Sequence, residues 1–244
     1  MHHTSAWKNK LLAEAYLHGN RAAIPHAADQ LNVMLHLLKH SERVVDRFLD
    51  LGAGDGILSQ LILDQFPGTS ACLVDFSEPM MEAAHRRLQG YADRVQLIQA
   101  DLCTSDWLQQ LPSDSKGTMD AVVSGFCIHH LPHPRKHQLY QEVYRLLAAN
   151  GLFINMEHVA SKSAWGEMLS EEAFIDSLLQ HEATRPNPKT REEISKAHYA
   201  REDKKDNILL SLETQCEWLR QIGFAEVDVF FKSYELAVFA GKKR

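Results

Sequence analysis

The chain has 244 residues, of which 45% are hydrophobic and 24% charged, a composition that can bury a sizeable core and excludes a disordered, collagen-like or coiled-coil chain. Its 26 basic against 32 acidic side chains leave a net charge of −6, which repels phosphate backbones unless a local basic patch overrides it. That length is read as one α/β domain with embellishments, residues 1–244, in preference to two independent domains.

In chain order, the amino end MHHTSAWKNK lacks the apolar core of a signal peptide. Apolar side chains at helical spacing predict helices over 7–19 and 25–39, the second with Pro25 in its first turn. From Val44 the texture changes to short apolar runs (RVVDRFLDLGAG, ACLVDF, VQLIQADL, MDAVVSGF, GLFINMEHV) that predict five strands. Between them lie the helical patterns GILSQLILDQF, EPMMEAAHRRLQGYA and PRKHQLYQEVYRLLAA. Such alternation requires parallel strands joined by right-handed crossovers, with helices on both faces of an open, doubly wound sheet. The most apolar run, Ala121–Ile128, is far shorter than the roughly 18 residues of a membrane helix, so a cytoplasmic protein without a membrane span is expected.

Residues 161–206 break the rhythm with helical pieces and a charged, proline-bearing tract. They read either as a solvated helix pair or as a lid over a ligand crevice, with residues 1–40 as a second helical cover. A helix, SLETQCEWLRQIG, then precedes two strands, AEVDVFF and YELAVFAG, linked through Lys232 and Ser233 as an antiparallel hairpin. Cys72, Cys103, Cys127 and Cys216 form no CxxC pair, so reduced and mostly buried thiols are expected.

Ligands of doubly wound sheets bind outside the carboxyl ends of the strands, at the point where strand order reverses. The first strand runs into Asp50-Leu51-Gly52-Ala53-Gly54-Asp55-Gly56, a turn whose glycines permit close backbone approach. Ile57 stands where GxGxxG needs its third glycine, and no GKS or GKT follows, so neither a dinucleotide fingerprint nor a Walker loop is present. Asp75 ends the second strand, 21 positions after Gly54, the separation at which a carboxylate meets both ribose hydroxyls. Asp101, in QADL at the end of the third strand, is positioned to accept from an adenine amine.

LDLGAGDG, VDFSEPMMEAA, QADL and DAVVSGFCIHHLP together resemble the motifs of the class I S-adenosylmethionine (SAM) methyltransferases over nearly the whole chain. The resemblance implies a Rossmann-like, mostly parallel seven-stranded sheet with a reversed last strand and SAM as cofactor. It also implies that Gly52, Ala53 and Gly54 pass beside the methionine portion, Asp75 and Phe76 hold ribose and adenine, Asp101 and Leu102 hold the adenine, and Gly125 lies on the sulfonium side. Within that superfamily the chain is similar to the carboxy-SAM synthases of tRNA wobble modification, through Arg21 to His26, Glu157 and NILLSLETQCEWLRQIGFAEVDVFF. Those enzymes place an arginine soon after an EIS-like stretch. Here EIS at 193–195 is followed by Lys196, Ala197 and His198, and the nearest arginine is Arg201.

Methyl transfer from a sulfonium needs alignment and dryness, and a neutral acceptor must also lose a proton. His129 and His130 follow the fourth strand, and Glu157 and His158 end the fifth, which makes His129 and Glu157 the candidate bases. Successive strand residues face opposite sides, so at most one member of each pair is expected to face the crevice. Pro132 and Pro134 interrupt the spacing that would align His133 with His137, so no metal site is expected. The leading expectation is a methyltransferase for a small-molecule acceptor, with a homodimer left open. The alternatives are a carboxy-SAM synthase, an RNA-modifying enzyme of the same fold, and a SAM-binding regulatory protein without turnover.

Overall fold

Strands covered by helices on both sides are buried on both faces, and the central strands carry that signature. In β1 (Arg47–Leu51), β2 (Ser70–Asp75) and β4 (Met119–Gly125) every residue is buried except one at an end of each strand. The computed structural model describes residues 24–244, so the expected helix over 7–19 and most of the segment 1–40 lie outside the described residues. With β3 (Val95–Gln99), β5 (Leu147–His158), β6 (Phe224–Ser233) and β7 (Leu236–Lys243) these strands form a seven-stranded sheet of order β3-β2-β1-β4-β5-β7-β6. β1 to β5 pair in parallel, and β7 runs antiparallel to both β5 and β6. Strand order reverses between β1 and β4, and the loops leaving their carboxyl ends diverge there.

Period-two alternation sends neighbouring residues into two different cores. Phe48, Ala121, Val123 and Ile154 pack with Met34 and Leu38 of α1 (Ala27–Lys39) and with Leu58 and Ile62 of α2 (Ile57–Gln65). Leu49, Leu51, Val122 and Phe153 pack on the other face with Leu139 and Val143 of α4 (His133–Leu146) and Leu219 of α7 (Leu212–Ile222). Between these elements α3 (Glu78–Arg87) connects β2 to β3. The insertion after β5 consists of α5 (Ala164–Glu182), α6 (Arg191–Tyr199) and a 3-10 turn at Glu202–Asp206. Its helices start on side-chain caps, Ser163 accepting from Gly166 and Thr190 pairing with Glu193 in a capping box. Among the described residues no helix is long and apolar enough to cross a membrane.

Three boundaries differ from expectation. The hairpin turns at Tyr234–Glu235 instead of Lys232–Ser233, because Ser233 still pairs with Leu236 and Tyr234 takes the left-handed φ of +49° that a two-residue turn demands. β5 starts at Leu147 instead of Gly151, its register against β4 shifting where Asn150 adopts φ +61°. Pro134 sits in the first turn of α4 and does not interrupt it, so His133 and His137 share that helix.

The clamp on the β3 loop is a buried ion pair. Arg135 donates to Glu142 through Nη1 (2.9 Å) and Nη2 (2.7 Å), and to the carbonyls of Leu102 (2.7 Å) and Thr104 (3.1 Å), while Trp107 Nε1 donates to Glu142 (2.9 Å). All three side chains are buried, and the loop after β3 is thereby tied to α4. Removing one partner leaves a buried charge uncompensated. Glu142→Ala is therefore expected to lower the unfolding free energy by about 3–5 kcal/mol, read as a lower urea midpoint. A loss under about 1 kcal/mol would match an exposed pair and contradict this packing.

Candidate functional site

β1 hands the chain to the glycine turn, whose first amides are spent on the neighbouring strand: Gly52 and Ala53 donate to the carbonyl of Val74 at 2.8 and 3.1 Å. Gly52 has φ +66°, and a Cβ there would sit 2.1 Å from Cys127 Sγ, so only glycine fits. Gly54 also has a left-handed φ, +55°, but open space where its Cβ would point. Its amide donates to Asp75 Oδ2 at 2.8 Å, and Ser77 N donates to Oδ1 at the same distance. Asp75 is buried, which pushes its carboxyl up, while these backbone donors pull it down.

The expected cofactor residues therefore separate. Gly54 bonds directly to Asp75, and Gly52 and Ala53 to the carbonyl of Val74 just before it, with Phe76 next in line on the β2 loop. Asp101 is exposed at the end of β3 and accepts from Cys103 N at 2.8 Å, beside the buried Leu102. Asp50 turns to α2, accepting from Ser59 Oγ at 2.7 Å, and so anchors the helix that follows the turn. Gly125 ends β4, packed against Leu58 and Met156, and Phe126 after it holds φ +53°, strained for an aromatic residue. A buried carboxylate beside an open backbone suits a cofactor with hydroxyls and positive charge but no phosphate.

Beyond Phe126 lies a cavity at the carboxyl ends of β4 and β5, bordered by His129, His130 and His158. His129 and His130 lie in a 3-10 turn, Ile128–His130, and not on a strand, so both border the same cavity, contrary to expectation. Their rings stand 3.9 Å apart. His129 Nδ1 lies 2.6 Å from Glu157 Oε1, joining the two candidate bases into one buried pair. Glu157 also accepts from His158 N (2.9 Å) and faces Asn155 Nδ2 (3.4 Å), and from Asn155 a chain of contacts runs through Tyr140 to Gln215. Burial holds His129 neutral, well below the usual histidine range, and pushes Glu157 up to about 7. A second imidazole–carboxylate pair adjoins it, His158 Nε2 lying 3.0 Å from Glu235 in the β6–β7 turn.

The opposite wall comes from the insertion, with Ile24 at the rim. Glu171 and Phe174 of α5 face His198 of α6, followed by Arg201, Asp203 and Lys204. Lys204 donates to both Glu171 oxygens at 2.7 Å, and His198 Nε2 meets the same carboxylate, whose acidity rises until its pKa is about 2. Arg201 reaches the cavity, but its guanidinium is engaged by both oxygens of Asp203. His133 and His137 take other partners, the Leu209 carbonyl at 3.1 Å and the edge of Trp218. Among the described residues no group of three or more potential ligands could hold a metal ion.

Comparison with known proteins decides the family. A methyltransferase-domain family model matches residues 49–153. A demethylmenaquinone methyltransferase of Clavibacter sepedonicus is 31% identical over 186 residues, 75% of this chain and 67% of that protein. The chain belongs to the class I SAM-dependent methyltransferases. It is also similar to a carboxy-S-adenosyl-L-methionine synthase of Helicobacter hepaticus, 25% identical over 229 residues, 91% of this chain and 87% of that one. Among solved structures a CurJ carbon methyltransferase superposes with TM-score 0.64 at 17% identity, over 96% of this chain and 58% of that chain, a likeness of fold. SAM is the cofactor of this methyltransferase.

Sequence reasoning held the insertion as a lid in one of two readings, but it singled out neither Glu171, His198 and Lys204 on the cavity wall nor the buried Lys136. Glu171, His198 and Lys204 come from a tract that reads as solvated charge, and nothing in its spacing marks the three as neighbours. The contact between the glycine turn and Cys127 gives a direct test of the site's packing. Gly52→Ala is expected to cost about 1–3 kcal/mol through overpacking, added to left-handed strain. Cys127→Gly should recover part of that loss in the double variant; strictly additive losses in thermal unfolding would contradict the contact.

Proposed function

We propose that the protein moves the SAM methyl group to a small-molecule acceptor whose proton is taken by Nε2 of His129. The observation that carries this reading is the buried 2.6 Å contact between His129 Nδ1 and Glu157 at the edge of the cavity. A carboxylate can only accept, so it fixes the proton on Nδ1 and leaves Nε2 with a lone pair. As the acceptor's X–H proton arrives on Nε2, the Glu157 carboxylate stabilises the imidazolium, and the electron pair left on X becomes the nucleophile. SAM, when bound, supplies an electrophilic methyl on a sulfonium. Gly52, Ala53 and Gly54 would line the methionine portion, Asp75 and Phe76 the ribose, Asp101 and Leu102 the adenine, and Gly125 the sulfonium side, with Asp50 steadying α2 behind them. The insertion wall would exclude water.

A small acceptor is favoured by a cavity walled on both sides, and nucleic acid is disfavoured by the net charge of −6. The four free thiols agree with a cytoplasmic setting. The similarity to carboxy-SAM synthases and Arg201 on the cavity wall favour carboxy-SAM formation, but the engagement of Arg201 by Asp203 leaves it poorly placed to grip a further carboxylate.

Asp75→Asn should weaken SAM binding by about 1.5–3 kcal/mol per charge-assisted hydrogen bond lost, measured by calorimetry. His129→Gln should leave that affinity unchanged and lower kcat by about 10²–10⁴. Undiminished turnover of His129→Gln would remove the base assignment. Carboxy-SAM recovered by mass spectrometry from the denatured protein would transfer it to the second reading.

A further inference from the structure

The least expected side chain in the fold is Lys136 on α4, a lysine with no solvent exposure. Lysines are almost never fully buried unless paired. Its ammonium donates to three carbonyls, His129 at 3.1 Å, Ile208 at 2.6 Å, and Leu131. These belong to two chain segments, the turn that carries His129 and the return from the insertion. Ile208 N also donates to the His129 carbonyl at 2.9 Å, so that peptide is gripped from both sides.

Carbonyls satisfy the donors but do not cancel the charge, and the acid whose field acts on Lys136 is Glu157 of β5. We propose that Lys136 is a positioning residue for the His129–Glu157 pair: its ammonium pins the His129 turn and keeps Glu157 ionised, so that the Nε2 lone pair of His129 stays available. This deepens the base reading above and rests on it.

The chemistry turns on one proton. With Glu157 ionised, Nδ1 of His129 must carry the hydrogen in their 2.6 Å contact. With Glu157 protonated, the carboxylic acid donates to Nδ1, the ring proton moves to Nε2, and no lone pair faces the acceptor. Burial drives Glu157 toward the protonated form, and with Lys136 and the neighbouring donors pulling against that rise it settles at about 7, while burial lowers Lys136 itself to about 8. The other groups facing the cluster are Cys127 before the turn, Tyr140 of α4, His130 and His158, and Arg201 and Asp203 from the insertion, whose fields on His129 oppose each other.

Two readouts test this. In the pH profile of kcat/KM, the acid limb of the parent should fall near pH 7, and Lys136→Met should move it up by about one pH unit or more. Activity at pH 7 then drops about fivefold or more and returns as the pH rises, while Lys136→Arg keeps the parent limb. Infrared titration of the carboxylic-acid stretch of Glu157, in protein labelled at glutamate, should show the same upward move without any turnover. A uniform loss of rate with both midpoints unmoved would make Lys136 purely structural and overturn the proposal. Should Lys136→Met not fold, the parent decides: a Lys136 Nζ resonance that steps as Glu157 titrates near pH 7 supports the proposal, and one indifferent to that titration contradicts it. Full activity in His129→Gln would sink the base reading alone, since the infrared titration still reports whether Lys136 holds Glu157 ionised.

Discussion

A buried carboxylate and imidazole 2.6 Å apart share one proton, and where it sits decides whether the site holds a base. Much of the surrounding structure bears on that choice. Burial raises Glu157 and lowers His129, which by itself favours neutral partners. The His158 amide, Asn155 and Lys136 each favour the carboxylate instead, and the interior accommodates this cluster because nearly every polar atom in it has a partner.

The sheet explains why such a cluster forms at this place. β4 and β5 are adjacent and parallel, so the turn after β4 and the last residues of β5 emerge side by side. The glycine turn and Asp75 emerge from β1 and β2 on the other side of the point where strand order reverses. On the proposed reading, cofactor and acceptor sides are thus supplied by different strand pairs, which meet at Gly125 and Phe126. The Arg135–Glu142 clamp and the Lys136 ammonium both arise from the start of α4, which ties the loop after β3 and the His129 turn to a single helix.

The sheet was legible because buried parallel strands leave unbroken apolar runs, as in FLDL, CLVD and AVVS. The contact between the glycine turn and Asp75 was legible for a local reason: Gly52, Gly54 and Asp75 are dictated by backbone geometry and by a fixed crossover length. The dyad was half legible. His129 and Glu157 stood out as strand-end residues, but their contact depends on a 3-10 turn that period-two reasoning does not foresee. Lys136 was invisible for the opposite reason, since HPRKHQ reads as an exposed first turn and becomes interior only when the segment after the insertion covers it. The hairpin turn moved by two residues because Tyr234 accepts a left-handed conformation that favours glycine or asparagine.

Nitrogen-15 NMR of the parent protein at a pH between 7 and 8 tests the central claim most directly, because it reads the tautomer of His129 without a substrate. The account predicts a protonated Nδ1 and an Nε2 with the shift of an unprotonated ring nitrogen. A hydrogen on Nε2, or on both nitrogens, would contradict it.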